Sequence, residues 1–119
     1  LHFLGKQARA GRPAFAYEFA HPLASPGSGS PHAADVPFVF GTHRHPHFSC
    51  KIGAAASVAA ISGEMMGAWA AFARDAHPGP GWPAFDVAAP KVLRFGPERA
   101  EAVPLDRADG LACFPAYGA

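Results

Sequence analysis

Apolar side chains recur at intervals of three and four residues along one long stretch, Ala54–Ala76. The members of this stripe are Val58, Ile61, Met65, Trp69, Phe72 and Ala73. A repeat near 3.6 residues predicts an amphipathic helix with its apolar face in the core. Arg74 suits the C-terminal end of the helix dipole. Similar spacing in Leu1–Gly11 predicts the last turns of a helix, with Gly11 as its C-terminal cap.

Alternating positions predict strands elsewhere. In Ala14–Ala20 the aromatic residues occupy one face and Ala14, Ala16, Glu18 and Ala20 the other, which is typical of a strand covered on both sides in an α/β sheet. The carboxylate of Glu18 should therefore lie near the strand end or be paired. Lys91–Phe95 predicts a second strand, and Glu101–Leu105 its hairpin partner after a turn at Gly96-Pro97-Glu98. Ala108–Ala119 is weakly patterned, and we expect a tail.

Loops rich in Pro and Gly separate these elements. His21–Pro31 has a Pro/Gly/Ser centre, and His77–Asp86 contains too many Pro and Gly residues for regular structure. Pro37 suits a first helical turn, so Asp35–Phe40 is predicted to be a short helical turn or an extended plug that packs aromatic rings against the body. The predicted fold class is α/β, in one domain over residues 1–119, with few strands and one long amphipathic helix.

Composition excludes several classes of protein. The chain has 119 residues, of which half are hydrophobic, and its net charge of +1 does not indicate a nucleic-acid or acidic-membrane partner. No apolar run approaches the ~20 residues that a membrane span needs. Cys50 and Cys113 are too few for a disulfide framework, so we expect free, partly buried thiols in a reducing cytoplasm, or secretion if a signal peptide lies upstream. The start at Leu1 is typical of the interior of a longer protein.

Three histidines alternate at His43, His45 and His47, with Cys50 nearby. In an extended segment they would point to one side and meet a metal ion. However, Arg44 lies among them, Pro46 bends the segment, and no second cluster supplies a carboxylate. We therefore interpret His43–Ile52 as a polar surface loop and predict no metal and no cofactor.

Four features occur in an order that resembles the type-B carboxylesterases of the α/β-hydrolase superfamily, such as the para-nitrobenzyl esterases. They are the aromatic strand, a histidine loop that continues into Pro37-Phe38-Val39-Phe40-Gly41, a helix with Trp69-x-x-Phe72-Ala73, and the connector Trp82-Pro83-x-Phe85-Asp86. The resemblance runs from about Pro13 to Phe95. It implies the C-terminal part of an α/β-hydrolase fold.

The resemblance also implies a chemistry, carboxylic ester hydrolysis by a Ser–Asp/Glu–His triad. It assigns His32 as the general base, which takes and returns the proton of the serine. Asp35 matches the acidic position of the family's loop, where it is expected to support the loop or the sheet rather than serve as the triad acid. The small residues Ala33 and Ala34 stand where the family often has Gly followed by any residue.

The nucleophile is not identified. No G-x-S-x-G elbow and no His-Gly-Gly oxyanion loop occurs in the sequence, and Gly27-Ser28-Gly29-Ser30 has the wrong spacing. Ser28 and Ser30 remain candidates, beside Ser25 and Ser49. Three interpretations stay open. The chain is a truncated piece of a carboxylesterase, or a small hydrolase that uses one of these serines with His32 and an Asp, within one chain or between subunits, or a non-catalytic structural or interaction domain. The expected partners are a small ester substrate and either a second copy, joined through the exposed edge of the first strand, or the N-terminal part of the enzyme.

Overall fold

The computed structural model describes residues 2–25, 27–53 and 55–105. The elements, in chain order, are α1 (His2–Arg9), β1 (Tyr17–Phe19), α2 (Val36–Val39), α3 (Pro46–Ile52), α4 (Ala56–Asp75), β2 (Lys91–Phe95) and β3 (Ala100–Pro104). This mixture of helices and a small sheet confirms the predicted α/β class. The predicted tail, Ala108–Ala119, and Cys113 lie outside the described residues. No helix of the described ranges is long and apolar enough to cross a membrane.

The three strands form one sheet in the order β1-β2-β3. β1 runs parallel to β2, with Tyr17 opposite Leu93, and β2 pairs with β3 antiparallel as the predicted hairpin. β1 is shorter than the predicted Ala14–Ala20 because the carbonyl of Ala14 accepts a 2.7 Å hydrogen bond from the amide of Phe85 in the connector. Ala14, which precedes β1, therefore pairs with the connector instead of with β2.

Helix α4 lies over the sheet and confirms the predicted long helix. Its buried apolar residues are Val58, Ile61 and Met65, and its C-terminal cap, Ala76, has a left-handed backbone with φ +55°. These side chains share a core with Phe38, Ile52, Trp82, Leu93 and Phe95. The end of the predicted stripe departs from expectation: Phe72 is 49% exposed and meets Phe15 edge to face. The helix therefore buries its N-terminal two-thirds more deeply than its last turns.

The prediction of a polar surface loop over His43–Ile52 is wrong, because Pro46–Ile52 forms helix α3. Pro46 occupies the start of the helix, where its missing N–H costs nothing, and the imidazole of His45 accepts a hydrogen bond from the amide of His47. Ile52, 5% exposed, anchors the other end in the core. Cys50 is a free thiol on the exposed side of α3, so the prediction that it is partly buried is also wrong.

Candidate active site

The segment that links β1 to α2 contains every candidate for the proposed chemistry except Ser49. Backbone hydrogen bonds hold its first part. The amide of Leu23 donates to the carbonyl of Gly29 at 2.9 Å, and the amide of Ala24 donates to the carbonyl of Lys51 in α3 at 2.8 Å. His21, at the beginning of this part, is buried and packs against Phe38. The segment is therefore attached to the core at its base, and its later part reaches the surface.

His32 lies on the surface in a tight turn. The turn is closed by the amide of Ala34, which donates to the carbonyl of Pro31 at 3.1 Å, and it continues through Ala33 with a left-handed φ of +62°. Within the part of the chain that the structure describes, no hydrogen bond or ring contact holds the imidazole. The backbone around His32 is thus fixed while its ring is open to a partner.

Asp35 is the N-cap residue of helix α2, but its side chain makes no capping hydrogen bond. Its carboxylate Oδ2 instead accepts a 2.6 Å hydrogen bond from the hydroxyl of Tyr17, across a separation of 18 residues in sequence. Burial, followed by this bond and the charge of Asp35, raises the pKa of Tyr17 to about 12. The carboxylate is therefore engaged with strand β1.

Ser62 supplies a second attachment for the loop. Its buried hydroxyl donates a 2.8 Å hydrogen bond to the carbonyl of Phe38, which joins α4 to α2. Phe38 is 1% exposed, whereas Phe40, two residues later, is 71% exposed. The predicted aromatic plug is thus half correct: one ring fills the core and the other lies in solvent.

Among the described residues, no candidate serine forms a hydrogen bond with the imidazole of His32. Ser28 is exposed at a turn where its amide donates to Ser25, and the hydroxyl of Ser30 is buried with no partner among the described residues. No hydrogen bond of the described ranges joins His32 to Ser28 or Ser30, and Ser49 belongs to α3. The roles of His32, Asp35, Ser28 and Ser30 in catalysis remain predictions.

The alternating histidines separate because α3 begins between them. His45 caps α3, His47 lies on its first turn, and His43 stacks on Phe38 with ring centroids 6.1 Å apart. Both ring nitrogens of His43 are buried without a partner in the described ranges, and burial, followed by the charge of Arg44, lowers its pKa. No group of three or more His, Cys, Asp or Glu side chains that could hold a metal occurs in residues 2–25, 27–53 and 55–105.

Glu18 forms a partly exposed ion pair with Arg94 of β2, 2.9 Å from Nε to Oε2. Pairing across the β1–β2 register is one of the two outcomes expected for a carboxylate on this face. The sequence did not reveal the roles of Tyr17 and Ser62. Their only signal was chemical: a hydroxyl in an aromatic strand, and a serine within an apolar helical stripe.

Comparison with known proteins decides the family. The sequence profile of the carboxylesterase family matches residues 1–108, which include the complete histidine loop. The chain belongs to the carboxylesterase family. No curated protein matches the chain.

Solved carboxylesterases share its fold. The carboxylesterase EST55 of Geobacillus stearothermophilus at pH 6.2 is 25% identical with a TM-score of 0.74, and the match covers 94% of this chain and 24% of that one. The same enzyme at pH 6.8 is 24% identical with a TM-score of 0.75, again over 94% and 24% of the two chains. A PNB esterase is 24% identical with a TM-score of 0.78, over 96% and 24%. The chain therefore spans about a quarter of the length of these carboxylesterases.

Proposed function

We propose that this chain provides the C-terminal part of a serine carboxylesterase, in which His32 is the general base. The observation that carries the proposal is the carboxylesterase family match over residues 1–108. It includes the loop on which the imidazole is open to a partner and its flanking backbone is fixed. The proposed substrates are small carboxylic esters.

The proposed mechanism uses His32 in two steps. The imidazole accepts the proton of a serine hydroxyl as the serine attacks the ester carbonyl, and it then donates that proton to the departing alcohol. In the second half, the same imidazole activates water to release the acid. Asp35 is a loop anchor in this proposal, because its carboxylate already accepts from Tyr17. The serine and the triad acid come from the part of the fold outside these residues.

The remainder of the fold is the favoured partner. Among the described residues, β1 pairs with β2 along one edge, and no strand pairs with its other edge. An open edge with unpaired backbone groups binds a further strand. We propose that this edge receives a strand of the N-terminal part, and that the isolated chain self-associates through it. Size-exclusion chromatography of the isolated chain tests the second statement, and a monomer across the micromolar range would contradict it.

The activity is tested with p-nitrophenyl butyrate and a fluorophosphonate probe that labels nucleophilic serines. The natural protein that contains this chain should hydrolyse the ester. The His32→Ala variant of that protein should lose at least about 100-fold in kcat. His2→Ala, which removes an exposed histidine from α1, is the matched control and should retain the wild-type rate. Equal rates for wild type and His32→Ala would refute the assignment of the base.

Labelling separates the remaining alternatives. Attachment of the probe to Ser28 or Ser30 would show that the chain carries its own nucleophile, and attachment outside residues 1–119 would place the nucleophile in the rest of the enzyme. A gene product that neither hydrolyses the ester nor reacts with the probe would support the non-catalytic alternative.

A further inference from the structure

Tyr17 is 39% exposed, yet its ring is flanked by three other aromatic rings and its hydroxyl bonds to a loop distant in sequence. The ring makes edge-to-face contacts with Trp69, Trp82 and Phe95, at centroid distances of 5.0, 5.8 and 6.2 Å. Trp82 is itself fixed, since its indole N–H donates to the carbonyl of Ala16 at 2.9 Å. Three neighbouring rings therefore determine the direction in which the phenol points.

The hydroxyl of Tyr17 donates the 2.6 Å hydrogen bond to Asp35. A carboxylate directly before a helix ordinarily accepts from the first amides of that helix. The side chain of Asp35 makes no such bond. Because α2 has only four residues, a capping bond would add little to the stability of the chain. A hydrogen bond to a charged acceptor is stronger than one between neutral groups. The carbonyl of Asp35 accepts from the amides of Phe38 and Val39, so its backbone begins α2, while its side chain is bonded to the sheet through Tyr17.

The backbone between His32 and Asp35 is held by hydrogen-bonded turns. The amide of Ala34 bonds the carbonyl of Pro31 at 3.1 Å, and the amide of Val36 bonds the carbonyl of Ala33 at 3.3 Å, so two successive turns span the interval. The attachment at Ser62 lies on the other side of Asp35, at Phe38. Ser62 holds Asp35 only indirectly, through the backbone bond from the amide of Phe38 to the carbonyl of Asp35. The Tyr17 bond is the side-chain contact nearest to the turns that lead to His32, so its loss should reach His32 first.

We propose that Tyr17 is a positioning residue for the general base: its hydroxyl holds Asp35 and so sets the place of the His32 imidazole. The proposal rests on the proposed function for its catalytic meaning, and on geometry alone for the attachment. Tyr17→Phe is the appropriate change, because it retains the ring and its aromatic contacts and removes only the hydroxyl.

Amide hydrogen exchange of the 119-residue chain tests the attachment without any assay of activity. In Tyr17→Phe, the amides of Ala34 and Val36 should exchange about tenfold faster. The amide of Thr42, which bonds the carbonyl of Pro37 at 2.8 Å beyond the Ser62 attachment, should keep its wild-type rate. Unchanged exchange at Ala34 and Val36 would overturn the proposal, and so would an equal acceleration at Thr42, because that result indicates general loosening.

The absorbance of tyrosinate gives a signature that general loosening does not produce. The chain has two tyrosines, Tyr17 and Tyr117, so the difference between wild type and Tyr17→Phe isolates Tyr17. Its ionisation should be centred at a pKa of about 12 in wild type. In Asp35→Asn it should shift downward but stay above 10, because burial, the largest cause of the raised pKa, remains. An unshifted titration in Asp35→Asn would overturn the proposal.

Kinetics of the active gene product connect the attachment to catalysis. Tyr17→Phe should lower kcat about 10- to 100-fold with KM little changed, as expected for a misplaced catalytic group. Unaltered kcat beside accelerated exchange would overturn the positioning role while leaving the base assignment intact. Failure of the proposed function is seen separately, as full activity of His32→Ala.

Discussion

The left-handed backbone of Ala33, next to His32, leads to a quantitative prediction. A residue with a Cβ at φ +62° costs about 1–2 kcal/mol relative to glycine, which adopts this conformation freely. Ala33 is exposed, so removal of its methyl group loses little burial. Against this, glycine lowers the free energy of unfolding by about 0.4–1 kcal/mol, because it gives the unfolded chain more conformational freedom. Ala33→Gly should therefore raise the free energy of unfolding by about 0.5–1 kcal/mol.

Two other alanines provide matched controls. Ala76, the C-terminal cap of α4, has a similar φ of +55° and is also exposed, so Ala76→Gly should stabilise the chain to a similar extent. Ala34 is half-buried and does not have a positive φ. Ala34→Gly should therefore destabilise the chain by at least about 0.4–1 kcal/mol, since it gains no relief of backbone strain.

Urea unfolding followed by circular dichroism measures all three variants. For a domain of this size, the Ala33→Gly and Ala76→Gly gains correspond to roughly 2–6 °C in Tm. The reasoning is refuted if Ala33→Gly destabilises the chain, because only the left-handed backbone at Ala33 makes glycine the more stable residue at that exposed position. If Ala76→Gly alone is stabilising, the strain assigned to the histidine loop is wrong.

Three further changes test other contacts. Ser62→Ala should lower the free energy of unfolding, measured in urea, by about 1 kcal/mol. The Phe38 carbonyl loses its 2.8 Å bond from Ser62 but still accepts from the Gly41 amide. An unchanged free energy of unfolding would contradict this role of Ser62. Trp82→Phe should cost about 1–3 kcal/mol by the same measurement, through lost volume and the lost indole bond to the Ala16 carbonyl, which still accepts from the Leu93 amide. A cost below about 1 kcal/mol would be inconsistent with the burial of Trp82. Because the pKa of His43 is lowered in the folded chain, the unfolded chain binds a proton at His43 more readily than the folded chain does. The contribution of neutral His43 to stability is therefore present above pH ~6.5 and is lost as the pH falls below that value. His43→Gln should therefore lose less stability than wild type between pH 7 and pH 5 in thermal unfolding, and identical pH profiles would exclude this role.

Periodicity predicted the long elements well. Helix α4, the β2–β3 hairpin and the short helical turn at Pro37 follow from patterns within single segments, and the structure confirms each of them. Helix α3 escaped prediction because its apolar residues are few and its start depends on a histidine cap, a residue type that seldom signals a helix. The deep burial of Ile52 supplies the tertiary contribution that the local sequence does not show.

The candidate site shows a similar division. His32 is predicted from local motif residues, because the family's loop is continuous in sequence. The contacts that hold this loop come from Tyr17 and Ser62, which lie 18 and 24 residues from their partners. Such pairs depend on how β1, α2 and α4 pack together, and neither hydropathy nor motif spacing specifies that packing. The lowered pKa of His43 likewise arises from burial, which the alternating histidine pattern does not indicate.

Imidazole rescue of His32→Ala tests the assignment of His32 most directly. Free imidazole can replace a missing general base, but it does not repair a misfolded loop. With p-nitrophenyl butyrate and the gene product as the cell makes it, His32→Ala should lose at least about 100-fold in kcat. Added imidazole should restore part of that rate in a concentration-dependent manner, whereas the His2→Ala control should not respond. Wild-type turnover by His32→Ala, or a loss of activity that imidazole leaves unchanged, would contradict the assignment of His32 as the base.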